Sequence, residues 1–123
     1  EQLSGYGDFE RLALEGRVDV LQPDLSRCGG LTVGRRIADL ATRLQIDCAP
    51  HAWLTDLLKA GSLHLNAYLQ NALYLEYNVS TASVLNRLCR DPIRMEDGAL
   101  PVPDGPGLGV TVDEEVVAKY RVA

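Results

Sequence analysis

The chain lacks any apolar run approaching the ~18 residues needed to cross a bilayer, so no transmembrane helix is expected. Its first residues, EQLSGYGDFE, have neither the basic nor the apolar stretch of a secretory leader. A soluble, cytoplasmic protein is the expectation. Excess positive charge is missing too: 12 Lys and Arg stand against 17 Asp and Glu, a formal net charge of −5. That balance excludes a polyanion-binding surface, and with it nucleic acid as a partner. Cysteine is scarce and odd in number. Cys28, Cys48 and Cys89 fit neither a disulfide framework nor the spacing of a zinc site, and read as inert, half-buried reduced thiols. Low-complexity runs and charge blocks are absent. The glycine-rich stretch GALPVPDGPGLGV has no Lys-Ser/Thr and no clear strand before it, so it reads as an ordered return loop instead of a phosphate cradle.

What is present suffices for one modest core: 123 residues, 46% of them hydrophobic. Asp8 to Glu15 carries Phe9, Leu12 and Ala13 on one face and predicts a short helix closed by Gly16. Val18, Val20 and Leu21 form a buried strand that Pro23 stops; Gly29 and Gly30 then free the backbone before a helix from about Thr32. In that helix Val33, Ile37, Leu40, Ala41 and Leu44 recur at helical spacing, opposite Arg35, Arg36, Asp39 and Arg43. Ile46 to Ala49 predicts a second strand, ended by Pro50-His51. Thr55 caps a helix to about Leu69 whose Leu57, Leu58, Leu65, Tyr68 and Leu69 face inward. Leu73 to Leu75 is a third apolar run, closed by Glu76. Strands alternating with helices of this length predict parallel βαβ crossovers. Beyond Asn78, Ser80 to Leu88 predicts a short helix, Asp91 to Gly109 an irregular Pro- and Gly-rich segment, and Asp113 to Tyr120 a last short helix. The expected division is residues 1–78 as the strand-helix part and 79–123 as a C-terminal segment with the return loop.

The informative residues end the strands. Glu1 stands at the start, Asp24 and His51 follow the next two strands, and Glu76 closes the last. In parallel α/β architectures the carboxyl ends of the strands share the face that carries chemistry. A histidine held there by a neighbouring carboxylate is kept in one tautomer and can serve as a general acid/base. His64, inside a predicted helix, is expected to be a surface or packing residue. Trp53, two residues past His51, either lines the pocket or packs beneath the loop.

The runs LQPDLSRCGGLT, DCAPHAW and LYLEYN, together with the tail DGALPVPDGPGLGV, resemble the last third of the mandelate racemase branch of the mandelate racemase/muconate lactonizing enzyme family, in the enolase superfamily. The resemblance covers essentially the whole chain, and the spacings from Glu1 to Asp24 and from Asp24 to His51 agree with it. Asp after the sixth barrel strand with His after the seventh is its specific signal. In the muconate cycloisomerase branch a Lys takes the place held here by Asp24.

The resemblance implies the C-terminal portion of a (β/α)₈ barrel, an α/β fold with about three parallel strands, crossover helices and an irregular C-terminal segment. It implies Glu1 as a ligand of a catalytic Mg²⁺, and His51 as the base that takes the proton beside a substrate carboxylate or the acid that protonates a leaving hydroxyl. Asp24 then orients His51, and Glu76, in protonated or ion-paired form, hydrogen-bonds the substrate carboxylate or the developing enediolate. The implied substrates are acid sugars, with dehydration first and racemisation second. Because a whole barrel takes ~250 residues, the N-terminal barrel half, the capping domain, two Mg²⁺ ligands and a second base are expected to lie outside this sequence. The chain alone is then expected neither to bind Mg²⁺ tightly nor to turn over substrate, and its open strand edges should drive self-association. The alternative is a non-catalytic α/β fragment acting as an oligomeric structural domain. The first reading expects an Asp24 carboxylate within hydrogen-bond reach of a His51 ring nitrogen; the second tolerates any distance.

Overall fold

The computed structural model describes residues 1–79 and 84–122. Its centre is one crossover unit: β1 (Val20–Leu21) runs through α2 (Leu25–Cys28) and α3 (Gly30–Leu44) to β2 (Asp47–Cys48). The two strands pair in parallel, Val20 against Asp47 and Leu21 against Cys48. Before β1 lies α1 (Gly5–Glu15), packed on α3; after β2 come α4 (Asp56–Tyr68), a 3₁₀ turn at Val84–Arg87 and α5 (Glu114–Tyr120). Among the described residues, no helix is long and apolar enough to cross a membrane.

The helical periodicity of α3 puts Ile37, Ala38 and Ala41 in the core, where they meet Phe9 of α1, Leu21 of β1, Cys48 of β2, and Leu58 and Leu65 of α4. A smaller cluster of Ala60, Leu63 and Ile93 ties α4 to the C-terminal segment. Thr55 caps α4 as expected, its Oγ1 accepting from the Leu58 N–H at 3.0 Å. Asp113 caps α5 through the N–H groups of Glu115 and Val116.

Four expectations need correction. The chain after Asp24 does not wait until Thr32 to become helical: α2 intervenes, and α3 begins at Gly30, because Gly29 takes φ +115 and lets one helix end and the next start within two residues. Leu73 to Leu75 forms no named strand. A parallel bridge joins Cys48 to Ala72, and Leu73 and Tyr74 lie exposed, with no strand among the described residues to pair along their far edge. Tyr68 points outward; its hydroxyl donates to Asp39 Oδ1 at 2.7 Å and Arg35 lies over its ring, since a phenol in the last turn of α4 needs a polar partner. The three cysteines are free and fully buried instead of half-buried, and burial pushes the Cys48 thiol up to about 12, which keeps it protonated and inert. Of the short helix expected over Ser80 to Leu88, residues 80–83 lie outside the described residues.

The return loop is held by its glycine and by α4. Gly109 sits at φ +69, where an added Cβ would fall 2.4 Å from Pro103 Cβ and 3.0 Å from the Pro103 carbonyl carbon. Beside it, the Leu108 carbonyl is 3.2 Å from His64 Nε2, so His64 is a packing residue that anchors the loop. Gly109→Ala is therefore expected to cost about 1–3 kcal/mol, the range for a side chain forced into a sparsely populated backbone region. The urea midpoint of the chain checks this, and an unchanged midpoint would mean that the loop carries no such constraint.

Candidate active site

Proline follows each strand one residue ahead of a candidate site side chain. Pro23 precedes Asp24, Pro50 precedes His51, and the parallel register continues past both strands as a bridge between Asp24 and His51, with the His51 N–H bonded to the Pro23 carbonyl at 3.1 Å. Residues bridged in parallel project to the same side. Here that places Asp24 Oδ2 2.8 Å from His51 Nδ1.

Asp24 has no solvent exposure and is fixed on both oxygens. Its Oδ1 accepts the Ser26 N–H at 2.7 Å and the Ser26 hydroxyl at 2.6 Å, the capping pattern that starts α2, while Oδ2 faces His51. Burial acts to raise its carboxyl, but the hydrogen bonds from Ser26 and His51, with the charge of His51, outweigh it and hold Asp24 below its ordinary value of 3.8. An ionised Asp24 only accepts hydrogen bonds, so Nδ1 of His51 carries the proton and Nε2 is the ring nitrogen left to exchange one.

That nitrogen faces two more carboxylates. His51 Nε2 lies 3.3 Å from Glu1 Oε2 and 3.5 Å from Glu76 Oε2, and the imidazole is only 12% exposed. Glu76 Oε2 is itself buried and has no hydrogen-bond partner. Three carboxylates singled out in the sequence, Glu1, Asp24 and Glu76, thus gather around the His51 imidazole. The model of the enolase C-terminal domain-like family matches residues 1–116.

The chain belongs to the enolase superfamily.

Among its relatives, D-galactarolactone cycloisomerase of Agrobacterium fabrum is 31% identical over 125 residues, covering 95% of this chain and 33% of that enzyme. D-gluconate dehydratase of Thermoproteus tenax is 35% identical over 122 residues, covering 98% of this chain and 24% of that enzyme. A solved enolase-superfamily structure from Polaromonas sp. JS666 superposes with a TM-score of 0.87 at 37% identity, over 97% of this chain and 32% of that one. The chain therefore spans about a third or less of the length of the relatives it matches. Its two parallel strands and flanking helices are the C-terminal part of the superfamily's barrel fold.

In this enolase-superfamily chain Trp53 is 47% exposed, so it does not pack beneath its loop; its carbonyl accepts from Asn78 Nδ2 at 2.6 Å, tying the segment after His51 to the segment after Glu76. Two side chains escaped the sequence reading, Ser26 and Arg27. The signal for Ser26 was available, because Asp followed two residues on by Ser is a capping pattern. Arg27 had no such signal. As for Mg²⁺, the described residues hold no group of three or more His, Cys, Asp or Glu able to bind a metal ion. A hard cation wants about six oxygens, and Glu1 alone, 44% exposed and turned toward an imidazole nitrogen, does not supply such a sphere. These residues by themselves do not fit a magnesium site.

Proposed function

We propose that the chain supplies the proton-transfer face of an acid-sugar dehydratase, with His51 as general acid/base, Asp24 as the partner that fixes its tautomer, and Glu76 as the group that meets the substrate carboxylate or enediolate. The observation that supports this most is the 2.8 Å contact between Asp24 Oδ2 and His51 Nδ1, which leaves Nε2 on the inner rim beside Glu1 and Glu76. In dehydration of an aldonate, a C–H bond beside the carboxylate and the neighbouring C–O bond break. The proton of the C–H bond passes to a base, His51 Nε2 or a group from outside these residues. A protonated Nε2 gives its proton to the departing hydroxyl, which leaves as water, and the resulting enol tautomerises to the 2-keto acid. Glu76 Oε2 is buried with no hydrogen-bond partner, and a protonated Glu76 carboxyl would donate to an oxygen of the substrate carboxylate or enediolate. We assign Trp53 to the substrate side of the rim. Mg²⁺, which superfamily membership implies, would neutralise the substrate carboxylate; Glu1 is the ligand assigned to it, the remaining ligands coming from outside these residues.

Relatives named D-galactonate, D-gluconate and D-xylonate dehydratase favour dehydration, and those named cycloisomerase show the chemistry that competes with it. The test is a complete barrel carrying this segment, incubated in D₂O with D-galactonate, D-gluconate and D-xylonate. Formation of a 2-keto acid is expected. Deuterium entering the substrate without loss of water would instead assign racemisation, and neither result with any acid sugar would overturn the reading. The 123 residues alone are expected to give no turnover and only weak Mg²⁺ binding; turnover by them would show that the proton-transfer face needs no other part of a barrel. The exposed Leu73 and Tyr74 are covered, in this proposal, by further barrel strands or by a second copy of the chain. A strictly monomeric chain at high concentration in light scattering would rule out the second copy.

A further inference from the structure

The Asp24–His51 pair and Glu1 sit on separate segments, yet the chemistry proposed for them needs both held at one imidazole. Besides His51 itself, the Arg27 side chain touches both segments. Arg27, in the last turn of α2, donates from Nη1 to Gln2 Oε1 at 2.7 Å, and its Nε lies 3.7 Å from Asp24 Oδ2, the oxygen that faces His51. Gln2 is the neighbour of Glu1. We propose that Arg27 is a positioning residue that joins the Asp24–His51 pair to the segment bearing Glu1.

Geometry and side-chain chemistry carry this. A guanidinium presents donors in a rigid planar fork, so one arginine spans two acceptors on different segments; a lysine ammonium is a compact charge that serves one place at a time. Asp24 Oδ1 is already saturated by Ser26, through both its N–H and its hydroxyl. Oδ2 is therefore the oxygen free to balance a second cation against the imidazole, and Arg27 stands on that side. Because the Arg27 side chain is 41% exposed, its contact with Asp24 belongs with solvent-screened pairs, and its effect should be a graded adjustment of the pair, not its assembly. The linkage to Gln2 is the part that a surface charge alone would not provide.

The proposal rests on the reading of Asp24 and His51 as proton-transfer machinery, and the test separates the two. Nitrogen-15 NMR of the 123-residue chain reports the His51 tautomer and the solvent exchange of its Nδ1 proton. In Arg27→Gln that proton is expected to exchange about two- to fivefold faster, the factor corresponding to an exposed ion pair. The Gln2 side-chain amide is expected to lose order in the same variant. Arg27→Lys, which keeps the charge but not the fork, should restore the slower exchange in part and leave Gln2 mobile. Exchange and Gln2 order unchanged in Arg27→Gln, or both restored by Arg27→Lys, would overturn the positioning role. A chain whose unsubstituted His51 carries its proton on Nε2, not Nδ1, would overturn the reading of the pair itself. The urea midpoint, followed in each variant, distinguishes either result from general loosening, because a residue that only stabilised α2 would move the midpoint without moving the imidazole proton ahead of the amides around it.

Discussion

Replacing His51 by Asn in a complete barrel that carries this segment is expected to lower dehydration by about 10²–10⁴-fold, the range over which a positioned acid or base accelerates proton transfer. Asn keeps a donor near Asp24 Oδ2 but offers no nitrogen that can gain and lose a proton at neutral pH. The loss should fall on kcat, since the substituted group acts on the reacting atoms and not on the parts of the substrate that give binding energy. Folding should be little affected. The backbone N–H of His51 bonds to Pro23, its carbonyl accepts from the Ser62 hydroxyl, and neither contact uses the imidazole. Exchange of the proton beside the substrate carboxylate, followed in D₂O, separates the two roles open to His51. If it removes that proton, exchange is lost together with dehydration; if it only protonates the departing hydroxyl, exchange persists while water is retained. A variant within about threefold of the parent rate would remove His51 from the chemistry, given the size of effect expected of such a group.

The placement of Asp24 beside His51 in the candidate site was legible because the signals for it are local. Pro23 and Pro50 end their strands one residue before Asp24 and His51, and the parallel register then fixes which side both face. Helix α3 was equally plain, since Ile37, Leu40 and Ala41 repeat at 3.6-residue spacing and are all buried. What escaped has physical reasons. Helix α2 has four residues, too few for periodicity, and is announced only by the capping pattern of Asp24 and Ser26. The run Leu73 to Leu75 reads as a strand by composition, but a strand forms only where a neighbour offers a ladder, and here the pairing stops at Ala72. Periodicity turned Tyr68 inward by position, whereas its hydroxyl and the carboxylate of Asp39 decide its direction. Glu1 has no local signal at all. Its place beside His51 depends on contacts far along the chain, among them the Gln2 to Arg27 hydrogen bond.

Asp24→Asn should cost both stability and rate. An amide of the same shape can still accept from Ser26 through its oxygen, which leaves its NH₂ group facing His51 Nδ1. Two donors cannot satisfy each other, so the imidazole must move its proton to Nε2, and the nitrogen proposed to exchange protons with substrate arrives already capped. In a hydrolytic triad the same change of Asp to Asn lowers kcat by about 10⁴, and a loss of that order is expected in the complete barrel. In the 123-residue chain the imperfectly matched buried group should cost about 1–3 kcal/mol at neutral pH, measured by urea unfolding. The acid limb makes the assignment specific. Because Asp24 is held below its ordinary value in the folded chain, the unfolded chain binds protons more readily than the folded one as pH falls. The stability due to its carboxylate is fully present above the unfolded value, near 3.8, and is lost as pH falls through the lower folded value. Asp24→Asn has no such proton to take up. The stability gap between parent and variant should therefore be widest at neutral pH and narrow below pH 4, the region where the unfolded carboxyl titrates. A gap that stays constant through the acid limb would mean that Asp24 titrates alike in the folded and unfolded chain, and that Ser26 and His51 do not favour its charge.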